Sequence, residues 1–148
     1  MIDVAREVAQ NPDRWRHLVR AAADGERVSV QLLLTEDVEI WLICWEPGHD
    51  TGFHDHDRSG GAVVVAQGAV REDRLVVGGE PPASRVVGEG EAFTFEPTDI
   101  HRVVYEDGEP AVTVHVYSPP LHAMGSYEVT EEGRLLRTAL SATTSLSA

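Results

Sequence analysis

Apolar positions in the first 23 residues read as helix, with mixed spacing at first and helical spacing from Trp15, and after Gly25 the pattern changes. Ile2, Val4 and Val8 precede the punctuator Asn11-Pro12-Asp13; Trp15, Leu18, Val19 and Ala22 then recur at helical intervals. Asn11 as N-cap and Pro12 in the first turn extend the helical reading to residues 2–23, within an N-terminal segment 1–24. Beyond Gly25 come short runs rich in Val, Ile, Thr and aromatics, at 28–34, 38–45, 61–67, 70–77, 92–95, 101–105 and 111–117. Turn clusters such as EPGHDTG, GGEPP and EPTD separate them. Many short strands at close spacing predict an all-β barrel or sandwich over 27–139, with only a short N-terminal helical region. Residues 127–139 read as a closing hairpin around EEG, and 141–148 as a small, polar, frayed tail.

Length and charge narrow the picture. The 148 residues suit one domain, 1–148, with one core. A formal net charge of −13 repels phosphate backbones and anionic membrane surfaces, so neither nucleic acid nor membrane is an expected partner. The single cysteine, Cys44, excludes an intrachain disulfide and a cysteine-based zinc site. The opening residues carry no apolar signal region, and no run is long enough to span a bilayer. A cytoplasmic location is the expectation.

Candidate chemistry lies in the seven histidines. His17 falls on a polar helix side, His122 carries no pattern, and His49 in its Gly-flanked turn suits a structural hydrogen bond. His54 and His56 are two apart, so on a strand both imidazoles point to one face, as a metal requires. A bare His-x-His is more often a surface pair; here a Gly-rich turn precedes it and the apolar run Ala62-Val63-Val64-Val65 follows. His101 opens a later strand, where a histidine facing the pair across a barrel lumen would complete a facial set. His115 and Tyr117, also two apart, can share an inward face with Thr113.

These residues carry a resemblance. Gly48, His54, His56 and Gly68 match the first metal motif of the cupin superfamily, with Gly61 standing where its glutamate is usual. GEAFTFEPTDIH, with Gly90, Pro97 and His101, resembles the second motif, one residue short between Pro and His. Within that superfamily the chain resembles the cysteine dioxygenase (thiol dioxygenase) family in LICWEPGHDTGFHDH, DIHRV and AVTVHVYSPPL, spanning roughly residues 40–121. The resemblance implies a single cupin-type domain, a jelly-roll-like double-stranded β-helix. It implies Fe(II) on His54, His56 and His101, and a small thiol and O2 as partners, with both oxygen atoms passing to sulfur to give a sulfinate. Imidazole ligands alone do not select the metal. Tyr117 and His115 take the family's catalytic places, and Thr113 the position of its serine.

Two departures follow. Animal members link a cysteine to the tyrosine; the matching position here is Gly61, so no such link is expected and Tyr117 is expected to work unmodified, as in bacterial members, while Cys44 reads as core. The substrate carboxylate meets an arginine in cysteine-specific members and a glutamine in those preferring 3-mercaptopropionate. Arg27 and Gln31 are both candidates, while the simplest alignment falls near Val30, which is neither. L-Cysteine is the first expectation and 3-mercaptopropionate, or another small thiol carboxylate, the alternative. A metal-dependent cupin enzyme of another reaction class is a further alternative, disfavoured by the missing glutamate. A monomer or weak homodimer is expected.

Overall fold

The computed structural model describes residues 1–141 other than 77 and 79. Nine strands follow the N-terminal segment: β1 (Val28–Leu34), β2 (Glu39–Trp45), β3 (His54–Asp55), β4 (Gly60–Arg74), β5 (Ala83–Gly88), β6 (Ala92–Phe95), β7 (His101–Ser118), β8 (Ala123–Val129) and β9 (Leu135–Ser141). No helix among the described residues is long and apolar enough to cross a membrane.

Two long strands organise the barrel. The segments 61–67 and 70–77, expected as separate strands, are one bent strand, β4, ending at Arg74 (residue 77 lies outside the described set). Likewise 101–105 and 111–117 merge into β7. The two pair antiparallel from Gly60↔Ser118 to Arg74↔His101, with register shifts around Gln67 and Ala69. There both strands turn from one sheet into the other. Gly68 and Gly108 lie at φ +73° and +117°, and a Cβ at Gly68 would strike the Asp107 carbonyl oxygen. Glycine is therefore what lets the strands bend while crossing so closely. One sheet runs β1-β2-β7-β4-β6, using the C-terminal half of β7; the other runs β9-β8-β3-β7-β4-β5, using its N-terminal half.

Burial explains the near-continuous apolar runs. Ile43, Trp45, Val63, Val65 and Tyr117 face the barrel interior. Their neighbours Leu42, Val64, Val112, Val114 and Val116 face outward under a second cluster with Ala5, Val8 and Trp15. A sheet covered on both faces loses its polar alternation.

The N-terminal segment departs from the expected helix over 2–23. An α-helix, α1, spans only Ile2–Ala9; Pro12–Arg14 and Arg16–Leu18 are single 3-10 turns, and Val19 is already extended. Trp15 decides this. It is 3% exposed and donates its indole N–H to the Ala9 carbonyl at 3.2 Å, folding the chain back after Pro12. The closing hairpin is present as β8–β9 around a turn at 130–134. Apart from Ser141, the expected tail lies outside the described residues.

Candidate metal centre

Three histidines meet at the mouth of the second sheet. His54 lies on β3, His56 just after it, and His101 opens β7. His101 does not face the pair across the lumen, as expected from sequence; it is the direct register partner of His54 on the neighbouring strand. The ring centroids form a nearly equilateral triangle, 4.7, 4.8 and 4.9 Å apart. One ligand atom from each lies within 4.8 Å of the others, close enough to share one ion.

Hydrogen bonds orient two of the rings. His54 Nδ1 meets the Gly52 carbonyl at 2.9 Å, and His101 Nδ1 meets Glu72 Oε2 at 2.7 Å. Nε2 of each is then the nitrogen left for a metal, and the second bond is a carboxylate–histidine pair of the kind that fixes metal ligands. Glu72 is 2% exposed and also accepts from Arg74 and Arg85. Burial raises its pKa, but the bonds from His101 and Arg74 outweigh burial and hold it below the usual carboxylate range. His56 Nδ1 is buried with no partner among the described residues. Its ring instead stacks on Phe95, centroids 4.0 Å apart and planes 24° from parallel. Phe95 in turn fills the space where a Gly61 side chain would sit. Burial, and next the nearby His101, pushes His54 down to about 3, so it is neutral and able to ligate at neutral pH. Three buried imidazoles with an apolar ring behind one of them suit a divalent transition metal.

A cavity of about 170 Å3 opens beside the triangle, walled by Arg27, Trp45, His115, Tyr117, Met124 and Leu140 among others. The inward residues of β7 form a polar chain here. Trp45 Nε1–H donates to Thr113 Oγ1 at 2.8 Å, Thr113 Oγ1 meets His115 Nε2 at 2.7 Å, and His115 Nδ1 meets the Tyr117 hydroxyl at 3.1 Å. Burial pushes His115 down to about 3 and raises the Tyr117 phenol above its ordinary value. Both groups are therefore neutral at physiological pH.

The two carboxylate candidates part company. Arg27 enters the cavity wall with its guanidinium 5.2 Å from the Trp45 ring centroid. The turn before it is tied down by His49, which accepts from the Glu46 N–H at Nδ1 and donates from Nε2 to the Gly25 carbonyl at 2.7 Å. Gln31 is exposed, donates its amide to Glu39 Oε1 at 3.0 Å, and lies outside the cavity wall. Val30 packs with the outer cluster. Arg102 leaves the site to pair with Asp50. Cys44 is buried on β2, and alternation with Ile43 and Trp45 turns it away from the cavity.

Sequence reasoning passed over Glu72, Phe95 and Asp55. Asp55, between two of the clustered histidines, accepts from Gly125 N–H at 3.0 Å, Tyr127 hydroxyl at 2.6 Å and Arg137 Nε at 2.8 Å. Its place inside His-x-His is the only signal the sequence offers for it.

Together these features define a double-stranded β-helix protein with a three-histidine metal centre. Solved structures agree on the fold: a protein from Thermus thermophilus aligns with TM-score 0.58 at 22% identity over 70% of this chain and 92% of its own. A double-stranded β-helix domain protein from Klebsiella pneumoniae aligns with TM-score 0.60 at 20% identity over 70% of this chain and 80% of its own. The family profile of cysteine dioxygenase type I matches residues 2–130, and the chain belongs to that family. Cysteine dioxygenase type 1 of Danio rerio is 30% identical over 60% of this chain and 49% of its own; that of Bos taurus is 28% identical over 80% and 63%. The chain thus spans about half to two thirds of the length of these relatives.

Proposed function

We propose that the protein is a non-haem iron(II) dioxygenase that oxidises a small thiol carboxylate to its sulfinate, with L-cysteine as first candidate and 3-mercaptopropionate as alternative. The observation that carries this reading is a three-nitrogen centre without a carboxylate, facing a cavity that holds a neutral tyrosine and one arginine. His54, His56 and His101 would hold the metal, which would supply a dicationic centre for binding a thiolate and dioxygen.

The other residues bind and orient. Arg27 offers the carboxylate a bidentate fork, with its own position fixed by Trp45 below and the His49-tied turn behind. Thr113 has one hydroxyl proton and already accepts from Trp45. The arrangement that uses every hydrogen has Thr113 donating to His115 Nε2 and His115 Nδ1–H donating to the Tyr117 oxygen. Tyr117 then keeps its own O–H for the substrate. Its raised pKa keeps that proton in place. Met124, Val103 and Ile43 give the rest of the cavity an apolar lining.

The test is oxygen uptake by iron(II)-loaded protein given L-cysteine or 3-mercaptopropionate, with the sulfinate identified. Uptake with sulfinate formation is expected, and Tyr117→Phe should keep the metal while slowing turnover by about 10²-fold or more. A protein that binds iron and leaves both thiols untouched would overturn the reading.

A further inference from the structure

The family match ends at residue 130, inside the turn that joins β8 to β9. Yet the cavity wall continues past that point. Leu140 of β9 lines it, and its register partner on β8, Met124, lines it as well. This side of the cavity is thus built partly from a residue that lies past the end of the profile match.

The hairpin has a narrow attachment. β8 pairs on its inner edge only with the two residues of β3, His54↔Ser126 and Asp55↔Gly125, supplemented by Tyr127 N–H donating to the Phe53 carbonyl at 2.9 Å. The joint is reinforced by the Asp55 carboxylate. Arg137 of β9 reaches across β8 to give it two hydrogen bonds, Nε at 2.8 Å and Nη2 at 3.1 Å. The path is open because residue 125 is glycine: a Cβ there would strike the Arg137 side chain and come within 2.7 Å of Asp55 Oδ2.

We propose that the β8–β9 hairpin, latched by Arg137 onto Asp55, is the specificity-determining wall of the cavity and restricts it to small thiol acids. The inference rests on the thiol reading above. Leu140 and Met124 set the limit by filling space. Arg137 is a positioning residue that holds them there. At about 170 Å3 the cavity is smaller than the roughly 300–1,000 Å3 of pockets that take drug-sized ligands, which suits a small thiol acid better than a tripeptide.

The experiment uses cobalt(II)-loaded protein under anaerobic conditions and reads the thiolate-to-cobalt absorption band while titrating 3-mercaptopropionate or glutathione. The wild type should bind the small thiol and discriminate strongly against the tripeptide. Arg137→Ala and Leu140→Ala should each narrow that discrimination by about tenfold or more, and Arg137→Lys should restore part of it. Arg137 has a side chain 38% exposed and Leu140 is half-buried, so neither change removes a core residue. Should Arg137→Ala lose cobalt, Leu140→Ala carries the test alone. Unchanged discrimination in Leu140→Ala would overturn the hairpin's role while leaving the thiol site intact. No thiolate band from 3-mercaptopropionate in the wild type would overturn the thiol reading, and this inference with it.

Discussion

Gly61 shows how one missing side chain shapes the centre. A Cβ there would collide with Phe95, whose ring stacks on His56, so the glycine lets the ring orient an imidazole that has no hydrogen-bonded Nδ1. Gly61 is also the register partner of Tyr117, the place from which a cysteine would reach a tyrosine. Gly61→Cys is therefore expected to displace Phe95 rather than to link, costing about 1–3 kcal/mol by overpacking. Denaturant unfolding should show the loss, and intact mass should show no removal of two hydrogens. A spontaneous thioether at full stability would contradict this account. The clustering of His54 and His56 was legible because residues two apart on a strand share one face. Glu72 was not: VREDR reads as a solvated charge run, and only the register Arg74↔His101 brings Glu72 to the imidazole of β7. Arg27 and Gln31 stood equal in sequence; the fold puts Arg27 in the cavity wall and leaves Gln31 exposed, bonded to Glu39.

At the scale of elements, β4 and β7 are the framework, and their bends are specified by two glycines. Gly68→Ala adds a side chain at φ +73° into the Asp107 carbonyl. The left-handed backbone costs roughly 1–2 kcal/mol for a residue with a Cβ, and the clash adds to it. A fall in the denaturant midpoint with unchanged slope would show this; a neutral substitution would mean that the crossing is looser than described. Strand positions were readable from Val- and Thr-rich runs. Their fusion into two long strands was not, because QG and EDGEP look like hairpin turns and here make corners within strands. The short helical turns after Pro12 escaped for a related reason. Trp15 and Leu18 have helical spacing, but burial of the Trp15 ring against the barrel outweighs propensity.

For the molecule as a whole, buried neutral imidazoles make stability depend on pH. His115 titrates near 6.5 when unfolded and is pushed down to about 3 when folded, by burial first and then by His101. Between these values the unfolded chain binds a proton that the native one refuses. Its contribution is full above about pH 6.5 and is lost as pH falls, at about 1.4 kcal/mol per unit for this one group. His54 adds in the same direction in metal-free protein. Unfolding of metal-free protein measured between pH 7 and 4 should show stability falling with acid, and His115→Gln should flatten the slope by one proton's share. A slope unchanged in that variant would place the titration elsewhere.

The continuous pairing of β4 with β7 also sets how the protein can come apart. Because each strand belongs to both sheets, neither sheet can open while the other stays closed, so the amides of Val63, Val65, Val103 and Val114 should exchange with solvent deuterium only through global unfolding. The β8–β9 hairpin is an edge element, attached to the rest of the sheet through the two residues of β3, the Tyr127–Phe53 bond and the Asp55 carboxylate, and is expected to open before the β4–β7 pair. Its amides should exchange sooner, and every such opening uncovers the metal centre from the hairpin side.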